Sequence, residues 1–151
     1  MATYTYLGTL TDVGVHGLAD FMPRLTVRPE VEAWGPDGLV TDQRVVVPVT
    51  GTTFSMELIP SSELVGTNGK VGVQYILEVV LYGETASGGR WRVWQNEWRF
   101  SALPGGGAIT RMGDVPALGF YVGPNWPATP LPGAYYDPSS GDLGYYAIGV
   151  N

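Results

Sequence analysis

Residues 71–82, VGVQYILEVVLY, and residues 90–101, RWRVWQNEWRFS, are two apolar runs separated by the turn signal Ser87-Gly-Gly89. In the first run Val73, Tyr75, Leu77, Val79 and Leu81 recur at a spacing of two, with Gln74, Glu78 and Tyr82 between them. That is the period of a strand, and the β-branched content disfavours a helix. Ile76 and Val80 interrupt the polar side, so the spacing predicts a central strand covered on both faces. In the second run the apolar phase slips from odd positions (Trp91, Val93) to even ones (Trp94, Trp98, Phe100). A slipped phase within one strand predicts a bulge or break, placed here near Gln95.

Working outward, residues 53–58 alternate cleanly, with Phe54, Met56 and Leu58 on one face and Thr53, Ser55 and Glu57 on the other. Residues 3–11 are Thr- and Tyr-rich at a rough period of two, and residues 43–49 form a valine strand with Pro48 near its end. Residues 24–34 read as two extended pieces interrupted by Pro29, followed by the turn Gly35-Pro-Asp-Gly38. Seven or so short strands within residues 1–103 predict a small antiparallel β-sandwich, an all-β domain.

Composition changes after residue 103. Residues 104–151 carry 10 glycines and 7 prolines, against 12 and 5 in the longer part before. The same segment holds Phe120, Tyr121, Trp126, Tyr135, Tyr136, Tyr145 and Tyr146. A Pro/Gly-rich chain builds little ladder of its own, so these aromatics need a surface to bury against. The reading is an extended arm over 104–151, hinged at Gly105-Gly-Gly107 and polyproline-like over 118–132. It closes in a hairpin whose turn is Asp137-Pro-Ser-Ser-Gly-Asp142. The seven aromatics are the candidate contacts with a second copy or another partner.

Charge and composition exclude several functions. The chain has 151 residues, 8 basic and 14 acidic, with no basic run, which argues against nucleic acid and against an anionic membrane surface. It has no cysteine and a single histidine, which excludes thiolate chemistry and a conventional zinc site. The hairpin turn lacks the alternating ligands of a calcium loop. No Gly-x-Ser-x-Gly elbow or phosphate loop is present, and His16 lies in a glycine-flanked loop. Glu57 and Glu78, each mid-strand opposite an apolar face, read as solvated surface rather than as a glycosidase pair. No enzyme, metal or cofactor is expected. The N-terminal stretch has no basic and apolar leader pattern, so no export signal is expected either. Charged residues are only 15% of the chain, a hint that part of its surface is covered by other chains.

Aromatics offer one alternative. Trp91 and Trp94 with Arg92 have the vocabulary of a carbohydrate-binding module, with rings to stack on sugars and a polar rim. The ordinary reading places alternate tryptophans in the core.

Several stretches carry a resemblance: Pro23-Arg-Leu-Thr-Val-Arg-Pro29, Ala33-Trp-Gly-Pro-Asp-Gly-Leu39, Trp98-Arg-Phe100 leading into Pro104-Gly-Gly-Gly107, and above all Gly119-Phe-Tyr-Val-Gly-Pro-Asn-Trp-Pro127 with Pro132-Gly-Ala-Tyr-Tyr-Asp-Pro-Ser-Ser-Gly-Asp-Leu143. Together they resemble minor tail proteins of long-tailed bacteriophages infecting actinobacteria. Similar domains commonly open longer tail-fibre proteins, with a sandwich, a Gly/Pro/Trp crossing segment and a hairpin of the form Tyr-x-Asp-x-x-x-Gly-Asp-Leu. The resemblance implies a non-enzymatic virion component in the tail tip or fibre attachment, assembling as a homotrimer and with other tail proteins. Because the sequence given ends at Asn151, just after the hairpin, an adaptor role is expected rather than a receptor-binding fibre. The competing expectations are a module contacting host cell-wall glycan and a head fibre or capsid decoration protein.

Overall fold

The structure is a computed structural model, and it describes residues 3–18, 20–85, 87–113, 118–123 and 132–146. It is all-β, with only single 3-10 turns between strands. The strands are β1 (Tyr4–Thr9), β2 (Val15–His16), β3 (Met22–Pro29), β4 (Ala33–Gly35) and β5 (Gly38–Val40). There follow β6 (Val45–Val47), β7 (Val49–Thr50), β8 (Thr53–Leu58), β9 (Val65–Gly66) and β10 (Tyr75–Glu84). The last are β11 (Arg90–Phe100), β12 (Gly107–Ala108), β13 (Gly119–Val122), β14 (Gly133–Asp137) and β15 (Asp142–Tyr146).

The two runs quoted at the outset become the antiparallel hairpin β10–β11, the centre of a sheet ordered β11-β10-β3-β6. Tyr75, Leu77, Val79 and Leu81 point into the core opposite Phe100, Trp98, Asn96 and Trp94. The slipped phase has a structural cause. Leu81 pairs with Trp94 but Tyr82 pairs with Arg92, which leaves Val93 as an extra residue. A bulge of this kind lets Val93 and Trp94, neighbours in sequence, both be buried, at 2% and 4% exposure. It lies two residues before the expected Gln95.

A second sheet, β12-β1-β8-β7, contributes Tyr6, Phe54 and Met56 to the same core cluster. The valine strand expected over 43–49 is divided at Pro48. Val47 pairs with Leu25 in the first sheet, while Val49 pairs with Phe54 in the second. Proline cannot donate to a ladder, so the chain changes sheets where its N–H is missing.

The described residues beyond 103 stay on this sandwich. Gly107 and Ala108 pair in parallel with Tyr6 and Leu7 of β1. Gly106 has φ +74, and a Cβ there would lie 2.3 Å from the Thr5 carbonyl oxygen. Only glycine can make that approach. The hinge expected at 105–107 is therefore docked against β1. The polyproline-like reading of 118–132 is corrected in its first part, because Gly119–Val122 is a strand; residues 124–131 lie outside those described. β13 runs parallel to both β2 and β14, and β14 turns into β15 as the expected hairpin. The order β15-β14-β13-β2 ties this sheet to the chain's N-terminal part. The strands before residue 103 pair antiparallel with one another, as expected, and the three parallel pairings among the described residues all involve strands after it. Ile109, Met112, Phe120 and Ala134 belong to the same buried cluster as the strands before residue 103.

A small sheet, β5-β4-β9, forms around the turn predicted at Gly35–Gly38. Gly35 and Gly38 face each other across Pro36-Asp37, which makes Trp34 and Leu39 direct partners. Ala33 is fully buried, so by alternation Trp34 points outward.

Candidate functional site: interaction surfaces

The aromatics expected to reach a partner divide into three groups. Phe120 is fully buried and Tyr121 nearly so, at 0% and 9% exposure. Phe120 meets Phe21 edge-on at 5.6 Å and Trp94 at 6.0 Å. Tyr121 stacks flat on His16 at 4.6 Å. The surface that covers both rings is supplied by the chain itself, because parallel pairing with β2 draws β13 onto the sandwich. Tyr135 and Tyr136 are half-buried; the Tyr135 hydroxyl donates to the Gly123 carbonyl, and Tyr136 packs edge-on against Phe21 at 4.8 Å. Tyr145 is the exposed one, at 63%, with its hydroxyl donating to the bulge carbonyl of Val93. Trp126 and the Tyr146 side chain lie outside the described residues.

The aromatic platform for a sugar is not assembled. Trp94 is buried against Phe120, and its indole N–H has no hydrogen-bond partner among the described residues. Trp91 keeps 44% exposure, with its ring over Gly83 and edge-on to Phe21 at 6.5 Å. Arg92, next in sequence, projects to the opposite face and donates to Gln95 at 2.7 Å. Strand alternation and core burial thus separate the three residues.

The weaker chemical candidates are also placed. Asp137 accepts from the Ser139 N–H and hydroxyl at 2.9 and 2.6 Å, and those bonds hold its carboxyl below the usual range. It serves the turn of its own hairpin. Partial burial pushes the pKa of His16 below its ordinary value. Glu57 and Glu78 stand on different sheets, and Glu78 pairs with Arg44 at 3.5 Å. Among the described residues no group of three or more His, Cys, Asp or Glu side chains could hold a metal ion. No described helix is long and apolar enough to cross a membrane.

Two surfaces that the sequence reading did not single out are more distinctive. The first is a row across the small sheet. Leu39 pairs with Trp34, Trp34 with Val65, and Val65 with Val71, so the four side chains are successive cross-strand neighbours. All four are open to solvent, at 49%, 56%, 40% and 72%. The Gly-Pro-Asp-Gly turn was the available signal, since it fixes Trp34 opposite Leu39.

The second surface is the outer face of the β11-β10-β3-β6 sheet. It carries Arg24, Arg28, Arg44, Arg90, Arg92 and Arg99, six of the seven arginines in the chain. Ile76 and Val80 lie beneath them at 3% and 7% exposure, flanked by Arg28 and Arg99 and by Arg24 and Gln95. Long arginine stems cover such aliphatic floors while the guanidinium stays in water. A cleft of about 530 Å³ opens here between Arg24, Arg44, Val46, Tyr82 and Arg92. With Glu30, Glu78, Glu84 and Glu97 also on it, the face keeps a local positive excess in a chain of formal charge −6. No family model, curated protein or solved structure matches this chain.

Proposed function

We propose that this chain is a non-enzymatic structural component of a phage virion, a minor tail protein of the tail tip or fibre attachment. The observation that carries the reading is the C-terminal sequence pattern, Gly119–Pro127 followed by Pro132–Leu143, which resembles actinobacteriophage tail proteins. Support comes from the hairpin that this pattern implies, which forms with Tyr136 opposite Leu143 and Asp137 opposite Asp142. Further support is a surface poor in charge and carrying an uncovered apolar row, as a protein built into an assembly would have. The role is to join tail proteins by self-association, as a homotrimer, and by contact with its neighbours.

Location in the particle tests this. Antibody against the purified chain, gold-labelled on intact particles of the phage that encodes it, should mark the end of the tail distal to the head. Label on the capsid would move the protein to a head fibre or decoration role. Chain found only in the infected-cell lysate, with unlabelled particles, would overturn the virion reading.

A further inference from the structure

We propose that the Trp34 row of one copy docks into the arginine-rimmed cleft on the outer β11-β10-β3-β6 face of a second copy. The inference rests on the self-association in the reading above, and not on the virion placement.

The row is a knob. Trp34 stands at its centre with Leu39 and Val65 on either side, and strand pairing fixes the line. An aromatic anchor flanked by aliphatic contacts is the usual composition of an interface hot spot. Glu32 lies two residues before Trp34 on the extension of β4, where the Thr67 N–H bonds its carbonyl at 2.9 Å, and Glu63 lies two residues before Val65. The knob therefore has an acidic rim.

The cleft is a matching hole. Its volume of about 530 Å³ admits an indole, and Val46 (56% exposed) and Tyr82 provide apolar contact. Arg24 makes no ion pair among the described residues, and Arg92 bonds only the neutral Gln95. Both guanidinium groups are available to an indole face and to the glutamates around it.

Charge decides which copy-to-copy arrangement is favoured. Across a two-fold axis the row would meet itself, setting Glu32 and Glu63 against their own copies. Row against cleft sets those glutamates instead against Arg24, Arg44 and Arg92, which outnumber the Glu78 and Glu97 lining the same cleft. Such an interface is heterologous, and it closes into a ring when the rotation permits; three copies give the trimer.

Sedimentation equilibrium of the full chain tests this, on wild type, Trp34→Ser, and the pair Arg24→Glu with Arg92→Glu. The wild type should reach a mass of three times 16.2 kDa and lose it as salt rises from about 50 mM to about 500 mM. Each variant should be a monomer with unchanged far-UV circular dichroism, since both alter exposed side chains. Mixed in equal amounts, the two should form dimers and nothing larger, because one intact row then meets one intact cleft. Should Trp34→Ser fail to fold, Val71→Thr is expected to weaken association in its place. A wild type that stays monomeric at about 1 mM overturns the proposal, as does a folded Trp34→Ser with wild-type mass or a mixture that remains monomeric. A Trp34→Ser monomer beside an associating arginine variant would mean the two-fold arrangement, and would also overturn it. None of these outcomes bears on where gold labels the particle.

Discussion

Tyr75 illustrates how one side chain fixes both packing and pH response. Its ring stacks on Phe100 at 5.8 Å inside the core, and its hydroxyl donates to the Ile59 carbonyl at 2.8 Å. Burial, with the nearby Tyr6 adding to it, pushes the phenol well above its ordinary range, outweighing the bond to Ile59. Tyr6, whose hydroxyl donates to the Leu103 carbonyl at 2.8 Å, is raised in the same direction by its own burial. A phenol with a raised folded-state pKa stabilises the fold fully below its unfolded value of ~10, and that contribution is lost as pH rises beyond it. Urea denaturation should therefore show stability falling above pH ~10, by up to about 1.4 kcal/mol per unit for each such group. Tyr75→Phe should cost about 1–3 kcal/mol at pH 7, because Ile59 keeps a buried carbonyl without a donor. Its stability should then fall less steeply above pH ~10. An equal alkaline slope in the two proteins would assign the effect elsewhere. The inward face of Tyr75 was legible from alternation alone; its partner was not, because residues 59 and 75 meet only through the fold.

At the scale of elements, alternation was a sound guide where a strand stays in one sheet and misleading where it does not. β8 and β10 follow the spacing of two along their length, because each packs one face continuously on the core. β11 keeps its phase only by accommodating Val93 as an extra residue, and the sequence announced the slip without its exact place. The parallel pairings of β12 with β1 and of β13 with β2 carried no local signal at all, since the partner strands lie more than a hundred residues away. The Trp34 row was half legible: the turn set Trp34 against Leu39, but β9 and Val71 arrive from a later segment. The bulge has an energetic consequence at Trp94, whose buried N–H lacks a partner among the described residues. An unsatisfied buried donor costs roughly 1–3 kcal/mol, which offsets part of what the indole's apolar surface contributes. Trp94→Phe removes the donor while keeping a ring against Phe120, so it should change stability by no more than about 1 kcal/mol. Trp94→Ala leaves a cavity, and should cost about 3–5 kcal/mol. Urea midpoints at constant m-value distinguish them, and a Phe variant as unstable as the Ala one would mean the indole N–H is satisfied.

For the whole molecule the question is whether residues 104–151 are an appendage or part of the core. Composition sets them apart, and the sequence reading placed a boundary at residue 103. Packing joins them: Ile109 and Phe120 have no exposed surface, and both belong to the cluster that holds Tyr6, Leu77 and Trp94. Composition reports which residues are present, whereas the partner of a buried aromatic depends on topology, here the pairing of β13 with β2. Ending the chain at Leu103 would uncover one side of Trp94 and remove the strand beside β1. Each lost side chain of that size is worth about 1.5–3 kcal/mol of burial, and a domain holds only about 5–15 kcal/mol in all. The fragment 1–103 should therefore lose its cooperative thermal transition or aggregate. A monomeric, cooperatively melting fragment would instead establish an independent sandwich with a separable arm. A gentler variant reads the same junction without removing it. Gly106→Ala meets both a positive φ and the Thr5 carbonyl, so it should cost more than ~1 kcal/mol. Gly105→Ala, at φ +94 with nothing near its Cβ, should lose only the backbone preference, about 1 kcal/mol. If the junction docks on β1 as described, the two neighbouring glycines respond unequally; a free hinge would leave both substitutions near neutral, since a mobile segment relaxes away from strain.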